Sequence, residues 1–269
     1  MPFAETVLLF ISGIATGAIG AMLGLGGGVF LIPFLVIILG VPMHQAIATS
    51  FLAVIATSSA GAVLNLERGM VNVRLGMLLE TTTVTGAILG GITGVYLSGA
   101  TLKEIFAFLL LIVAAIMIWR TLRKSEAPPA VNGVLSATFH DEATGTHTSY
   151  SVVRTPLIMA ISFLAGNISG LLGVGGGIFK VPAMNLAGGV PIKAATATSN
   201  FTIGVTAAAS AFIYFVNGHM NPLVIAPTAL GVLGGSMLGI HTSKKMKGRA
   251  ISMVFAAFLI VVGVEIYLK

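Results

Sequence analysis

The stretch GLGGG at residues 24–28 recurs as GVGGG at residues 173–177, at an offset of 149 positions. The same offset aligns three further elements without a gap: Pro33 with Pro182, the GVP triplets beginning at Gly40 and Gly189, and the TS pairs beginning at Thr49 and Thr198. Two ungapped copies of one hydrophobic pattern are typical of duplicated membrane proteins.

The composition is too apolar for a water-soluble protein. The 269 residues are 56% hydrophobic and 8% charged, with a mean hydropathy of +1.03. Four stretches exceed the roughly 18 apolar residues that cross a bilayer: Ala46–Leu66, Leu75–Leu97, Ala195–Val216 and Ala250–Leu268. We therefore predict an all-α, polytopic integral membrane protein whose partner is the lipid bilayer.

Other classes are disfavoured by the same composition. The net charge of +6 comes from basic residues in loops, which is typical of a topology signal and not of a nucleic-acid surface. The chain has no cysteine, which excludes disulfides and thiolate metal sites. His140 and His147 lack further ligands at metal-site spacing, so we expect no metal and no cofactor. No hydrolase motif or carboxylate pair lies on the apolar segments, so we expect no enzyme.

The glycine runs interrupt segments that are too long to be single straight helices. Thr6–Leu39 would be about 51 Å long as one helix, against a hydrocarbon core of about 30 Å. Glycine in a helix interior costs about 1 kcal/mol relative to alanine. We predict a helix ending near Leu23, an unwound tip, and a short helix from Val29 to Leu39. The second copy predicts the same arrangement.

Charge counting favours inverted repeats over parallel ones. If each broken segment dips into the membrane and returns, 11 of the 13 Lys and Arg outside the apolar segments fall on one side, opposite Lys103 and Lys269. A single crossing of each segment gives 7 against 6. The positive-inside rule favours the first distribution. We predict two inverted repeats, each a re-entrant helical hairpin followed by three spanning helices, with both termini outside the cell.

These features divide the chain into three parts. The first membrane repeat spans residues 1–120 and the second spans residues 154–269. Residues 121–153 form a predicted cytoplasmic linker, in which two β-prone runs flank a glycine and suggest a small hairpin.

The glycine tips are the first candidate binding elements: Gly26, Gly27, Gly28, Gly175, Gly176 and Gly177. Backbone without helical hydrogen bonds survives at membrane depth only where it faces protein or a wet cavity. Amides at the start of the following short helix favour anions. Close helix packing is the alternative role for such glycines.

Hydroxyl and amide side chains at the start of the next helix in each repeat form the second group of candidates: Thr49, Ser50, Thr198, Ser199 and Asn200. They offer hydrogen bonds to a small oxyanion. The alternative is that the hydroxyls bond carbonyls of their own helices.

Two charged residues lie inside apolar segments. Lys180 follows the second tip, where it is predicted either to anchor an anion or to extend its ammonium to the cytoplasmic interface. Glu80 lies about two turns into a spanning segment. It is predicted either to carry a coupling proton or to pair with a cytoplasmic arginine.

The chain resembles the TauE/SafE family of sulfite exporters. The resemblance rests on the paired G-x-G-G-G-x4-P elements, the Gly-Val-Pro turns and the Ala-Thr-Ser stretches that follow them. It implies transport of a small sulfur-containing anion, such as sulfite, sulfoacetate or a related organosulfonate, across the inner (cytoplasmic) membrane of a prokaryote. We expect a secondary transporter working by alternating access between the two tips. An anion channel, or a transporter for another small oxyanion, is the alternative.

The charge distribution makes a direct prediction about topology. Single cysteines placed at Lys103 and Lys245 should be labelled by an impermeant maleimide from opposite sides of the membrane, because the two loops face opposite compartments. A cysteine at Arg68 should be labelled from the same side as one at Lys245. Labelling of the Lys103 and Lys245 positions from one side would exclude the inverted arrangement.

Overall fold

A computed structural model describes residues 3–23, 26–122, 135–141, 146–243 and 248–268. Ten α-helices and two strands are described, in this order: α1 (Phe3–Leu23), α2 (Gly28–Pro33), α3 (Met43–Glu67), α4 (Val73–Tyr96), α5 (Gly99–Leu122), β1 (Ala137–Asp141), β2 (Thr146–Tyr150), α6 (Thr155–Leu172), α7 (Gly177–Pro182), α8 (Ile192–Val216), α9 (Pro222–Ser243) and α10 (Gly248–Leu268). Seven of the helices are long and apolar enough to cross a membrane. The predicted polytopic all-α fold is confirmed.

The offset of 149 residues also holds for the helices. It places α2 on α7 and α3 on α8, end for end. Each short helix runs into a five-residue π-helical turn, at Phe34–Ile38 and at Ala183–Ala187. Each π turn begins directly after a proline, at Pro33 and Pro182. Proline has no N–H and clashes with the carbonyl four residues before it, which favours such a local rearrangement of the helix.

The chain reverses direction at each glycine tip. A Cβ atom built on Gly27 would lie 3.1 Å from the carbonyl oxygen of Thr16, eleven residues back along α1. In the second copy, the Val153 amide donates to the Gly188 carbonyl at 3.1 Å. The two ends of the second broken segment therefore meet, and the segment is a hairpin. Its long arm, α6, is itself long enough to be a candidate span.

The two central helices, α3 and α8, pack antiparallel. His44, at the start of α3, stacks on His219, just after α8, with ring centroids 4.6 Å apart. Nearer the other end of the pair, the Ser58 hydroxyl donates to the Asn200 carbonyl at 2.5 Å and accepts from the Gly204 amide at 2.9 Å. These two helices, which the offset of 149 residues aligns, thus run in opposite directions.

Three further helix pairs pack against each other, α1 with α9, α4 with α6 and α5 with α10, and the first two are the closest. Glycines face backbone carbonyls across each pair. A Cβ on Gly86 or Gly90 would collide with the carbonyls of Phe163 or Asn167 on α6. Without a hydrophobic driving force inside the bilayer, close backbone approach supplies the packing energy. Gly86 and Gly90 therefore allow α4 and α6 to approach closely.

The described part of the linker packs on the membrane repeats. β1 and β2 pair antiparallel, and their aromatic residues Phe139 and Tyr150 join the apolar cluster that contains Leu75 and Val181. The Asn72 side-chain amide donates to the Leu135 carbonyl at 3.0 Å. Burial raises the pKa of Tyr150. The hairpin therefore contacts the α3–α4 loop and the second broken segment at one end of the bundle.

The glycine contacts make stability predictions. Gly90→Val should lower the melting temperature in detergent markedly, because the new side chain must push α4 away from α6. Overpacking of this kind costs about 1–3 kcal/mol or more. Gly234→Ala on α9 is the matched control, since nothing lies within 4 Å of its added Cβ. Equal melting temperatures for the two variants would contradict the close α4–α6 packing.

Candidate functional site

The two glycine tips touch each other at the centre of the bundle. A Cβ on Gly28 would collide with the carbonyl oxygen of Gly173. The Ser50 hydroxyl, on α3, lies 2.8 Å from this same carbonyl and 2.7 Å from the Ile47 carbonyl of its own helix, so its hydrogen bond is shared between the two. Gly26, Gly27 and Gly175 have φ angles of 80°, 76° and 72°, a left-handed conformation that glycine adopts at little cost. Glycine is thus needed in the tips both for backbone conformation and for close approach.

The short helix after the second tip leaves amides available. Its first internal hydrogen bond runs from the Phe179 amide to the Gly176 carbonyl, at 3.3 Å. The amides of Gly177 and Ile178 therefore have no acceptor within α7, as is general for the first turn of a helix. Gly176 has an ordinary φ of −66°, and its Cβ position lies 3.6 Å from the Lys180 side chain.

The serines after the tips are used differently in the two repeats. Ser50 binds the second tip, whereas its counterpart Ser199 is fully buried and its hydroxyl has no hydrogen-bond partner among the described residues. A buried hydroxyl without a partner costs about 1–3 kcal/mol. The Ser199 hydroxyl is therefore a buried donor that no described residue satisfies.

The other three candidates on α3 and α8 have structural contacts. The Thr49 hydroxyl donates to the Gln45 carbonyl at 2.7 Å. It therefore bonds its own helix, which was the alternative role considered for these hydroxyls. The Thr198 hydroxyl accepts from the Asn72 amide at 3.0 Å and so fixes the α3–α4 loop. Asn200 is half-buried, with its side-chain amide 3.6 Å from the Cβ position of Gly61.

Lys180 and Glu80 bind each other. The Lys180 ammonium donates to Glu80 Oε2 at 2.9 Å and to the Thr202 hydroxyl at 2.8 Å. The other carboxylate oxygen of Glu80 accepts from the Thr206 hydroxyl at 2.5 Å. The Lys180 side chain is 1% exposed and that of Glu80 is 11% exposed. The pair joins α7, α4 and α8 beside the second tip.

This pairing corrects two expectations. Lys180 does not reach the interface, and Glu80 does not pair with a cytoplasmic arginine; the two intramembrane charges meet instead. Sequence reasoning considered each charge alone, although opposite charges inside a membrane usually find each other. Thr202 and Thr206 were missed, and their signal was a spacing of four residues, which places both hydroxyls on one face of α8.

Two further unpaired hydroxyls lie on α6. Ser162 and Ser169 are buried without a hydrogen-bond partner among the described residues. α6 runs alongside α4 with Gly166 against the Thr83 carbonyl, so one turn earlier Ser162 lies level with Glu80. By their spacing Ser162, Gly166 and Ser169 lie on one face of α6. No sequence pattern distinguishes these two serines, since serine is common in membrane helices.

The polar residues around the ion pair are largely specific to one copy. At the offset of 149 residues five of them are replaced by apolar or smaller residues: Leu31 for Lys180, Ala229 for Glu80, Ala53 for Thr202, Gly13 for Ser162 and Gly20 for Ser169. Thr206 and Ser199 align with Thr57 and Ser50 and so stay polar in both copies.

The chain is similar to known membrane transporter proteins. The family described as "Sulfite exporter TauE/SafE" matches residues 9–266. The chain belongs to this family. A relative named "Probable membrane transporter protein YunE" from Bacillus subtilis is 29% identical over 97% of this chain and 96% of its own length. A "Probable membrane transporter protein" from Haemophilus influenzae is 27% identical over 99% and 100% of the two chains. No solved structure matches.

In this TauE/SafE chain the ion pair is a strong structural constraint. Removing one partner of a buried pair typically costs about 3–5 kcal/mol, because the other charge is left without compensation. Replacing both partners by neutral groups of similar size is often close to neutral. No group of three or more His, Cys, Asp or Glu residues that could hold a metal lies within the described ranges.

The pair therefore makes a double-mutant prediction. Lys180→Met should lower the melting temperature in detergent strongly, because Glu80 is left buried without its counter-charge. The double variant Lys180→Met with Glu80→Gln should recover most of the loss. Additive destabilisation by the two substitutions would show that the charges do not interact, and would contradict the contact seen here.

Proposed function

We propose that this membrane transporter carries a small sulfur-containing anion, such as sulfite, sulfoacetate or a related organosulfonate, across the cytoplasmic membrane by alternating access. The observation that carries the proposal is the buried ammonium of Lys180, whose side chain lies beside Gly176 of the second tip. An intramembrane charge marks an ion or substrate pathway by default. The sulfur-containing substrate class comes from the family description.

The proposed site uses three kinds of donor. Lys180 supplies the positive charge, and the first amides of α7 in the Gly175–Gly177 tip supply backbone N–H groups. Ser162, Ser169 and Ser199 supply hydroxyls that are buried and unpaired in the described part of the chain. An oxyanion can satisfy several of these donors at once.

The first tip and its neighbours have a supporting role in this proposal. Gly26–Gly28 and Ser50 position the second tip, and Thr49 has a supporting role because its O–H donates to the Gln45 carbonyl. Thr198 accepts from the backbone amide of Asn72, and its own O–H remains a proposed donor to the anion. Asn200 remains a proposed contact from the α3–α8 interface.

The proposed architecture for transport follows the repeats. Residues 1–120 and 154–269 form two membrane units in opposite orientations, joined by the 121–153 linker on the cytoplasmic side. Alternating access in inverted-repeat transporters is a movement of one unit against the other about a central site. The contact between Gly28 and Gly173 lies where two such units would move past each other.

A ligand screen followed by counterflow tests the proposal. Purified protein in detergent should show a raised melting temperature with at least one of sulfite, sulfate, thiosulfate, sulfoacetate and taurine. A ligand at 100 times its Kd stabilises by about 2.7 kcal/mol. In proteoliposomes, preloaded unlabelled anion should drive saturable uptake of the labelled anion. A channel gives no such counterflow, and absence of binding by every anion would refute the proposed substrate class.

Ser162→Ala locates the site in the same screen. A hydrogen bond to a charged ligand contributes about 1.5–3 kcal/mol, so affinity should fall about 10- to 150-fold. The melting temperature without ligand should not fall, because the hydroxyl has no partner to lose. Ser236→Ala is the control, a buried serine whose hydroxyl already bonds the Leu233 carbonyl. Unchanged affinity in Ser162→Ala would move the site away from α6.

A further inference from the structure

The Glu80 carboxylate binds the Lys180 ammonium in the way that a small oxyanion would. One of its oxygens accepts from the Lys180 ammonium and the other from the Thr206 hydroxyl. A sulfonate or sulfite head group offers the same kind of acceptor oxygens to the same donors. An anion that uses the Lys180 ammonium must therefore displace the Glu80 carboxylate or share the ammonium with it.

The surroundings of Glu80 hold no second cation among the described residues. α6 has no ionisable side chain and carries Ser162 at about the level of Glu80. α8 contributes the Thr202 and Thr206 hydroxyls. The ionisable residues of α8, Lys193 and Tyr214, lie about 12 Å or more along the helix from these threonines. On α4 itself, Arg74 lies six residues before Glu80. The site is thus neutral only while one negative charge faces Lys180.

We propose that the transported anion replaces Glu80 on the Lys180 ammonium and that Glu80 takes up one proton as it is displaced. This inference rests on the proposed function and specifies how the same site is coupled. A bound monoanion beside an ionised Glu80 would leave one uncompensated negative charge in a buried site, which is strongly disfavoured. Protonation of the carboxylate restores neutrality.

The step is balanced without any other reactant. One proton from the water on the open side forms an O–H bond with a Glu80 oxygen, and the anion enters alongside it. On the opposite side the anion leaves, the proton returns to water, and Glu80 binds Lys180 again. One proton and one singly charged anion cross together, so transport is electroneutral. A singly charged sulfonate or bisulfite fits this balance.

Binding of methanesulfonate, whose charge stays at −1 between pH 5.5 and 7.5, tests the coupling directly. In the wild-type protein the affinity should rise about tenfold per pH unit as the pH falls, because each bound anion brings one proton. In a weakly buffered solution, the wild-type protein should take up one proton for each methanesulfonate bound. This second measurement needs no variant.

Glu80→Gln removes the competitor and the proton carrier together. At pH 7.5 it should bind methanesulfonate more tightly than the wild-type protein and raise its melting temperature more, since the anion then supplies the counter-charge that Lys180 lacks. Its affinity should change less than twofold across the pH range. Glu104→Gln, at an exposed carboxylate on α5, is the matched control and should behave as the wild-type protein.

Transport completes the test. An inward gradient of one pH unit should drive about tenfold accumulation of methanesulfonate by the wild-type protein in proteoliposomes. Glu80→Gln should retain counterflow but lose this accumulation. Binding that is independent of pH, or equal accumulation by both proteins, overturns the coupling while leaving the transporter assignment standing. If neither protein binds methanesulfonate or any anion of the screen, the coupling and the proposed substrate class both fail.

Discussion

The contact between Lys180 and Glu80 constrains how α7, α4 and α8 pack together. Neither charge is tolerable alone at this depth, so α7 and α4 must stay together wherever the pair is intact. The threonines of α8 complete the hydrogen bonds of both groups. A helix of only six residues, α7, is thereby held against two long helices. Glycines in the adjoining tip allow the backbone to reach this position.

The sequence was most informative at glycines, because few other residues can adopt their backbone conformations or fit where two backbones meet. The glycine tips, the reversal of the chain and the close packing at Gly86 and Gly90 all follow from the special backbone and volume of glycine. The ion pair could not be predicted in the same way, because its members are 100 residues apart. Spatial proximity of that kind depends on how α4 crosses α7 and α8, and local patterns do not encode it.

Hydroxyl groups were the least predictable part of the candidate site. Thr49, Ser50 and Ser199 look alike in the sequence, yet their hydroxyls differ in their partners. Thr49 bonds its own helix, Ser50 is shared between its own helix and the opposite tip, and Ser199 has no partner among the described residues. A hydroxyl rotates to whatever acceptor lies nearby, so its role is decided by packing that the sequence does not show. Ser162 and Ser169 illustrate the same point on α6.

The ion pair joins the two halves of a duplicated chain in a way that duplication alone cannot produce. Glu80 belongs to the first repeat and Lys180 to the second, and their counterparts are Ala229 and Leu31. An antiparallel homodimer of the first repeat would bury two acids, and one of the second would bury two bases. Either assembly would leave every buried charge without its opposite. Because both repeats lie in one chain, every molecule contains one Glu80 and one Lys180. If the two repeats were separate proteins, they would have to assemble only as heterodimers to preserve this site.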